Sequence, residues 1–117
     1  MSVRFEIGGV FEKIEEMRKR AIFAVTSEAR NDLNEYVPME TGTLWGSSLD
    51  HSELEKGHIE WETPYAQVMW RGTRKGRALR ISRVHHPKAT SKWTVKGKAD
   101  NLEKWRRIAE KAMGGHV

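Results

Sequence analysis

The chain contains no cysteine. Disulfides, thiolate metal sites and cysteine nucleophiles are therefore excluded, and the fold must stand on packing or on assembly. Long apolar runs are missing too. The longest is Ala21-Ile22-Phe23-Ala24-Val25, far short of the roughly 20 residues that cross a bilayer. No membrane span is expected, and the opening Met1-Ser2-Val3-Arg4-Phe5-Glu6 lacks the apolar core of a secretory signal. Proline is scarce, so Pro38, Pro64 and Pro87 read as boundaries. The most informative absence is local. From Arg71 to Lys98, 28 residues pass without an Asp or Glu while ten Lys or Arg occur: Arg71, Arg74, Lys75, Arg77, Arg80, Arg83, Lys88, Lys92, Lys96 and Lys98.

That run sits inside a wider asymmetry. Residues 1–70 carry 7 basic and 13 acidic groups, net −6, whereas residues 71–117 carry 14 basic and 3 acidic, net +11. The formal +5 is the difference of two opposed halves. A strongly single-signed half implies a polyanionic partner or a complementary acidic protein face, because its self-repulsion must be offset somewhere. At 117 residues, with 38% hydrophobic and 32% charged residues and five Trp, the composition is that of a folded single domain spanning 1–117 rather than a disordered chain.

Periodicity supplies the elements. Val3, Phe5 and Ile7 alternate with Arg4 and Glu6, an edge strand within 1–9 closed by Gly8-Gly9. Val10, Ile14, Met17, Ala21, Val25, Ala29, Leu33 and Tyr36 recur every three or four residues, which predicts a helix over 10–36 about 40 Å long, ended by Val37-Pro38. Residues 44–63 read as an antiparallel hairpin whose second arm alternates Ile59, Trp61 and Thr63 with Glu60 and Glu62. Residues 65–70 read as a short helix or another strand, six residues being too few for periodicity to choose, with the lean towards the helix. The basic stretch 71–98 reads as a loop followed by a short strand at Leu79, Ile81 and Arg83. Asp100 with Glu103 forms a capping-box-like pair opening a final helix over 100–113, with Leu102, Trp105, Ala109, Ala112 and Met113 on one face. The expected fold is α+β: long N-terminal and C-terminal helices on a small antiparallel sheet, with an extended basic loop.

Residue types associated with chemistry are present, but not at working spacings. His85 and His86 are adjacent, so on a strand they face opposite ways and do not share one metal; His51, His58 and His116 lie apart. The Gly and hydroxyl cluster from Thr41 to Ser48 lacks the Gly-Lys-Ser/Thr ending of a phosphate loop. Ser47, Ser48, Asp50 and His51 are too close in sequence for a nucleophile, base and orienter. Glu60 and Glu62 share an exposed strand face rather than flanking a substrate. No catalytic, cofactor or metal site is expected. Trp61 and Trp105 fall on apolar faces, whereas Trp70 and Trp93 bracket the basic stretch as candidate stacking groups.

Three blocks follow one another in a recognisable order. Tyr36-Val37-Pro38-Met39-Glu40-Thr41-Gly42-Thr43-Leu44 with a following Ser47 or Ser48, Ile59-Glu60-Trp61-Glu62-Thr63-Pro64-Tyr65-Ala66, and Ala89-Thr90-Ser91-Lys92-Trp93 before the Trp105 segment resemble the minor capsid proteins of tailed phages. Gly72-Thr73, shortly after Pro-Tyr-Ala, is similar to the wider neck and tail-completion group. Motif positions are thus Pro38, Thr41, Gly42, Leu44, Trp61, Pro64, Tyr65, Ala66, Gly72, Trp93 and Trp105. Trp45 stands where that pattern usually has Arg or Lys.

The resemblance implies a non-enzymatic virion protein of the head-to-tail connector. It would form a ring of its own copies around the DNA exit channel, in the virion neck, after assembly in the host cytoplasm. Adjoining connector, portal-side or tail proteins would be its partners. Arg71, Arg74, Lys75, Arg77, Arg80, Arg83 and Lys88 would then meet either channel DNA or the acidic half of a neighbour, such as Glu53, Glu55, Glu60 and Glu62. The alternatives are a free, non-sequence-specific basic nucleic-acid-binding protein and, more remotely, a small nuclease using His85 or His86 with Glu60.

Overall fold

The computed structural model describes residues 2–7, 19–38, 42–83 and 86–113. Along the chain run β1 (Ser2–Glu6), α1 (Lys19–Asn34), α2 (Thr43–His51), a 3-10 turn (Leu54–Lys56), β2 (His58–Glu62), α3 (Ala66–Arg71), β3 (Thr73–Arg74), β4 (Arg77–Ala78) and α4 (Trp93–Ala112). The architecture is α+β, with two small antiparallel sheets, β1–β2 and β3–β4.

The apolar stripe of α1 packs as its spacing requires. Ala21, Val25, Ala29 and Leu33 are fully buried, one per turn on the face that meets α4. The helix stops at Asn34, just ahead of Val37-Pro38, and the Val10, Ile14 and Met17 part of the expected stripe lies outside the described residues. On α4, Trp105 and Ala109 are buried opposite α1, and Gly97 lets the two helices approach: a Cβ there would collide with the Leu33 Cδ2. A buried carboxylate links the same pair. Asp32 on α1 accepts from the Trp105 indole at 2.8 Å and from Lys104 Nζ at 2.9 Å. The Asp32 bond, ahead of the other contacts of Lys104, pushes its ammonium above the ordinary value.

The sheet lies against this helix pair. Val3 faces Trp61 and Phe5 faces Ile59 across β1–β2. Trp61 meets Trp93 edge to face at 5.7 Å, and Phe5 meets Trp105 at 5.9 Å, geometries favoured by the ring quadrupole. Asn34 ties three elements together, accepting from the Trp61 indole and donating to Ser48 Oγ.

Four sequence expectations are corrected. Residues 44–51 are the helix α2, not the first arm of a hairpin, and β2 pairs with β1 instead. Helical spacing places Leu44, Ser47 and Ser48 inward; the serines bury because their hydroxyls donate to Leu44 O and Trp45 O. They also serve the sheet, since the outward N–H groups of β2 are taken by Ser47 Oγ (from Glu62), Ser52 Oγ (from Glu60) and Glu53 O (from His58). That closes an otherwise open edge.

The final helix begins at Trp93, seven residues before Asp100. Asp100 is an interior position whose carboxylate accepts from Tyr36 OH at 2.8 Å, so the capping-box reading fails. Leu79, Ile81 and Arg83 form no strand; the basic stretch folds instead as the short β3–β4 hairpin, and its C-terminal part is helix. Met113 stays 37% exposed rather than joining the apolar face.

Candidate functional site

The hairpin of the basic stretch acquires its shape from three left-handed residues, and a fourth, Lys92 (φ 49°), precedes α4. Gly72 (φ 79°) ends α3, its N–H donating to Val68 O, and a Cβ there would sit 2.6 Å from the Ser91 Cβ. Both conformation and space therefore require glycine. Lys75 (φ 52°) and Gly76 (φ 79°) then form a two-residue turn between β3 and β4, the left-handed pair that matches the twist of a tight hairpin. The hairpin foot is anchored: Leu79 N donates to Gly72 O, Lys92 N to Trp70 O, and the Trp70 indole to Thr94 Oγ1. Basic side chains thus project from a fixed base next to the start of α4.

Their pairing is unusual in one respect. Arg74 lies directly opposite Arg77 in the ladder, a like-charge cross-strand pair that destabilises an isolated hairpin. Arg71, Arg74, Lys75, Arg77, Arg80 and Arg83 are exposed, and among the described residues none has a carboxylate within ion-pair distance. Lys88 differs: it lies over the Tyr36 ring at 5.5 Å and 3.9 Å from Glu35. Burial and the Asp100 hydrogen bond hold the Tyr36 phenol above its ordinary pKa, while that same bond holds Asp100 below the usual carboxylate range.

The acidic face behaves oppositely. Arg4 on β1 reaches Glu60 at 3.3 Å, Glu6 at 3.6 Å and Glu53 at 3.8 Å, and Lys56 reaches Glu53 at 3.1 Å and lowers its pKa. Each exposed pair stabilises little, yet together they offset part of that face's charge within the chain. Glu53 and Glu60, expected as partners for a neighbour's arginines, are already engaged at home.

Beneath the hairpin lies a groove of about 440 Å³. Its walls are Pro38, Leu44, Tyr65, Val68, Met69 and Leu79, and the charged groups among its described lining residues are Arg74 and Arg80. Nothing in the sequence announces it, since it draws on four separate segments.

The candidate chemical groups are occupied elsewhere. Ser47 and Ser48 hold α2 and β2, His51 Nδ1 lies 3.0 Å from Ser47 O, and the His86 ring donates to Val37 O at 2.8 Å. His85 and His116 lie outside the described residues. No cluster of three or more His, Asp or Glu suited to a metal occurs among the described residues, and no described helix is long and apolar enough to cross a membrane. Trp93 is fully buried and Trp70 is half-buried with its indole bonded to Thr94. Neither is the exposed stacking platform expected for single-stranded nucleic acid.

With this geometry in hand, comparison with protein families gives a match to a minor capsid protein model over residues 1–113. The chain belongs to the minor capsid protein family. It is accordingly a structural phage virion component. Searches of curated proteins and of solved structures each returned no match.

The minor capsid motif residues divide into two groups in space. Trp61, Ala66, Trp93 and Trp105 are core, and Gly42 supplies the left-handed residue that opens α2. Pro38, Tyr65 and Leu44, the last also part of the core, converge on the groove, with Gly72 setting the hairpin above it. Pro64 is exposed at the end of β2, and Thr41 lies outside the described residues. Asp32, Asn34 and Ser52, which do much of the cross-linking, were not singled out from sequence. Asp32 could have been noticed, because it stands three residues after Ala29 on the edge of the α1 stripe.

Proposed function

We propose that this minor capsid protein is a subunit of the head-to-tail connector, assembled with copies of itself as a ring around the DNA exit channel in the virion neck. The hairpin tip, Lys75-Gly76-Arg77, faces the DNA. Adjoining connector, portal-side or tail proteins contact the remaining surfaces. The observation that carries this reading is the Arg74–Arg77 cross-strand pair around a left-handed Lys75. A hairpin of that charge is a poor choice for a chain acting alone, and a line of phosphates offsets it by releasing condensed counterions. Trp93 is buried and Trp70 half-buried, so neither adds a base-stacking platform beside it, as suits a protein past which any sequence must move.

Native mass spectrometry and duplex-DNA retention of the assembled protein test the proposal. A closed oligomer that holds duplex at low salt and releases it as salt rises is expected. An assembly that ignores duplex even at low salt argues against the lumen-facing hairpin. A chain that binds DNA but never associates favours the free basic nucleic-acid-binding protein instead.

A further inference from the structure

The geometry points to a head-to-tail contact in which Leu49 and Asp50 of one copy seat in the groove beneath the hairpin of the next. This rests on the ring reading and names the contact that builds it. The groove is floored by apolar side chains, has Arg74 and Arg80 at its wall, and has no carboxylate among its described lining residues. Its occupant must therefore bring an apolar side chain beside a negative charge.

Among the described residues, five large apolar side chains are exposed: Phe23, Leu49, Tyr65, Val95 and Met113. Tyr65 lines the groove itself. Val95 stands among Lys92, Lys96 and Lys98, and Phe23 has Arg20 and no acid within four positions. Met113 has Glu110 and Lys111 beside it, whose charges cancel. Leu49, 51% exposed, is followed by the exposed Asp50 and has no Lys or Arg within four positions. Asp50 has no ion-pair partner among the described residues. Charge thus selects a single occupant.

One copy does not fill its own groove. Leu44 lines the groove, and Leu49 is five residues further along α2, about 140° round the helix and roughly 7.5 Å along it. Donor and acceptor therefore look in different directions. A contact between two different faces is heterologous, and repeated by rotation it closes into a ring.

Two variants at exposed positions separate the halves of the contact. Leu49→Ser with Asp50→Arg removes the donor; Arg74→Glu with Arg80→Glu removes the acceptor. Circular dichroism confirms that both remain folded. By native mass spectrometry at low salt, wild type forms the closed oligomer and each variant runs at the monomer mass. A 1:1 mixture stops at the dimer, since only one intact contact can form. Asp50→Arg combined with Arg74→Glu and Arg80→Glu in one chain regains the oligomer. If either variant assembles at the wild-type mass, this contact is wrong while the ring reading survives. If wild type stays monomeric, both fail.

Discussion

The β1–β2 face and the β3–β4 hairpin are both rich in charge, yet they handle it in opposite ways. On the first, Arg4 stands among Glu6, Glu53 and Glu60, and Lys56 holds Glu53. On the second, Arg74 opposes Arg77 and no carboxylate among the described residues approaches. A surface whose charge is partly offset within the chain has less need of a partner, whereas one left unmatched implies that its counter-charge arrives from outside. The net charge of either half did not reveal this. It emerges from which acids are already engaged.

The contrast can be broken or sharpened by substitution. The largest effect belongs to the scaffold that both regions share: Trp105→Ala removes a fully buried indole against Phe5 and Asp32 and should cost about 3–5 kcal/mol in urea unfolding. Gly72→Ala, strained at φ 79° and crowded by Ser91, should cost roughly 1–3 kcal/mol. It should also raise amide exchange at Leu79 and Lys92, whose bonds anchor the hairpin; unchanged exchange would show that the foot does not depend on this glycine. Ser47→Ala removes the hydroxyl that accepts from the Glu62 N–H and should cost about 1 kcal/mol, without affecting any property of the hairpin.

The smallest effects are those of pH, and they have a definite sign. Tyr36 and Lys104 both have pKa values raised in the fold, above 10.0 and 10.5. Their contribution is complete below those values and is lost as pH rises through the folded ones. Asp100 and Glu53 are lowered from 3.8 and 4.5, so theirs is present above those values and lost as pH falls through the folded ones. Thermal melts should show a plateau at neutral pH with falls at both ends. Charge reversal at the hairpin tip should not shift either limb.

Much of this was legible in the sequence. The Ala21, Val25, Ala29, Leu33 stripe repeats at helical spacing, and Ile59 and Trp61 alternate as a half-buried strand. The short helix at 66–71 was legible only as a lean, over 65–70, because six residues are too few for periodicity to separate helix from strand, whereas Gly72 already punctuated the basic stretch. Helix α2 escaped because two of its inward residues are serines, which bury only once Leu44 O, Trp45 O, Asn34 and Glu62 satisfy them. Those partners lie up to 15 positions away or in the helix backbone itself. The first turns of α4 escaped for a related reason, because Thr94 and Gly97 bury against Trp70 and Leu33 rather than presenting an apolar stripe. The basic residues were visible as a run, but their division between a hairpin tip and a groove wall is purely tertiary.

The most direct test of the account is the salt dependence of duplex-DNA affinity for the assembled protein, wild type against Lys75→Glu with Arg77→Glu. Both tip residues are exposed, so melting should change by no more than about 0.5 kcal/mol. The slope of log affinity against log salt should become shallower, by about 0.9 for each phosphate no longer neutralised. An unchanged slope, with the oligomer intact, would contradict the claim that the unmatched charge of the hairpin is there to meet DNA.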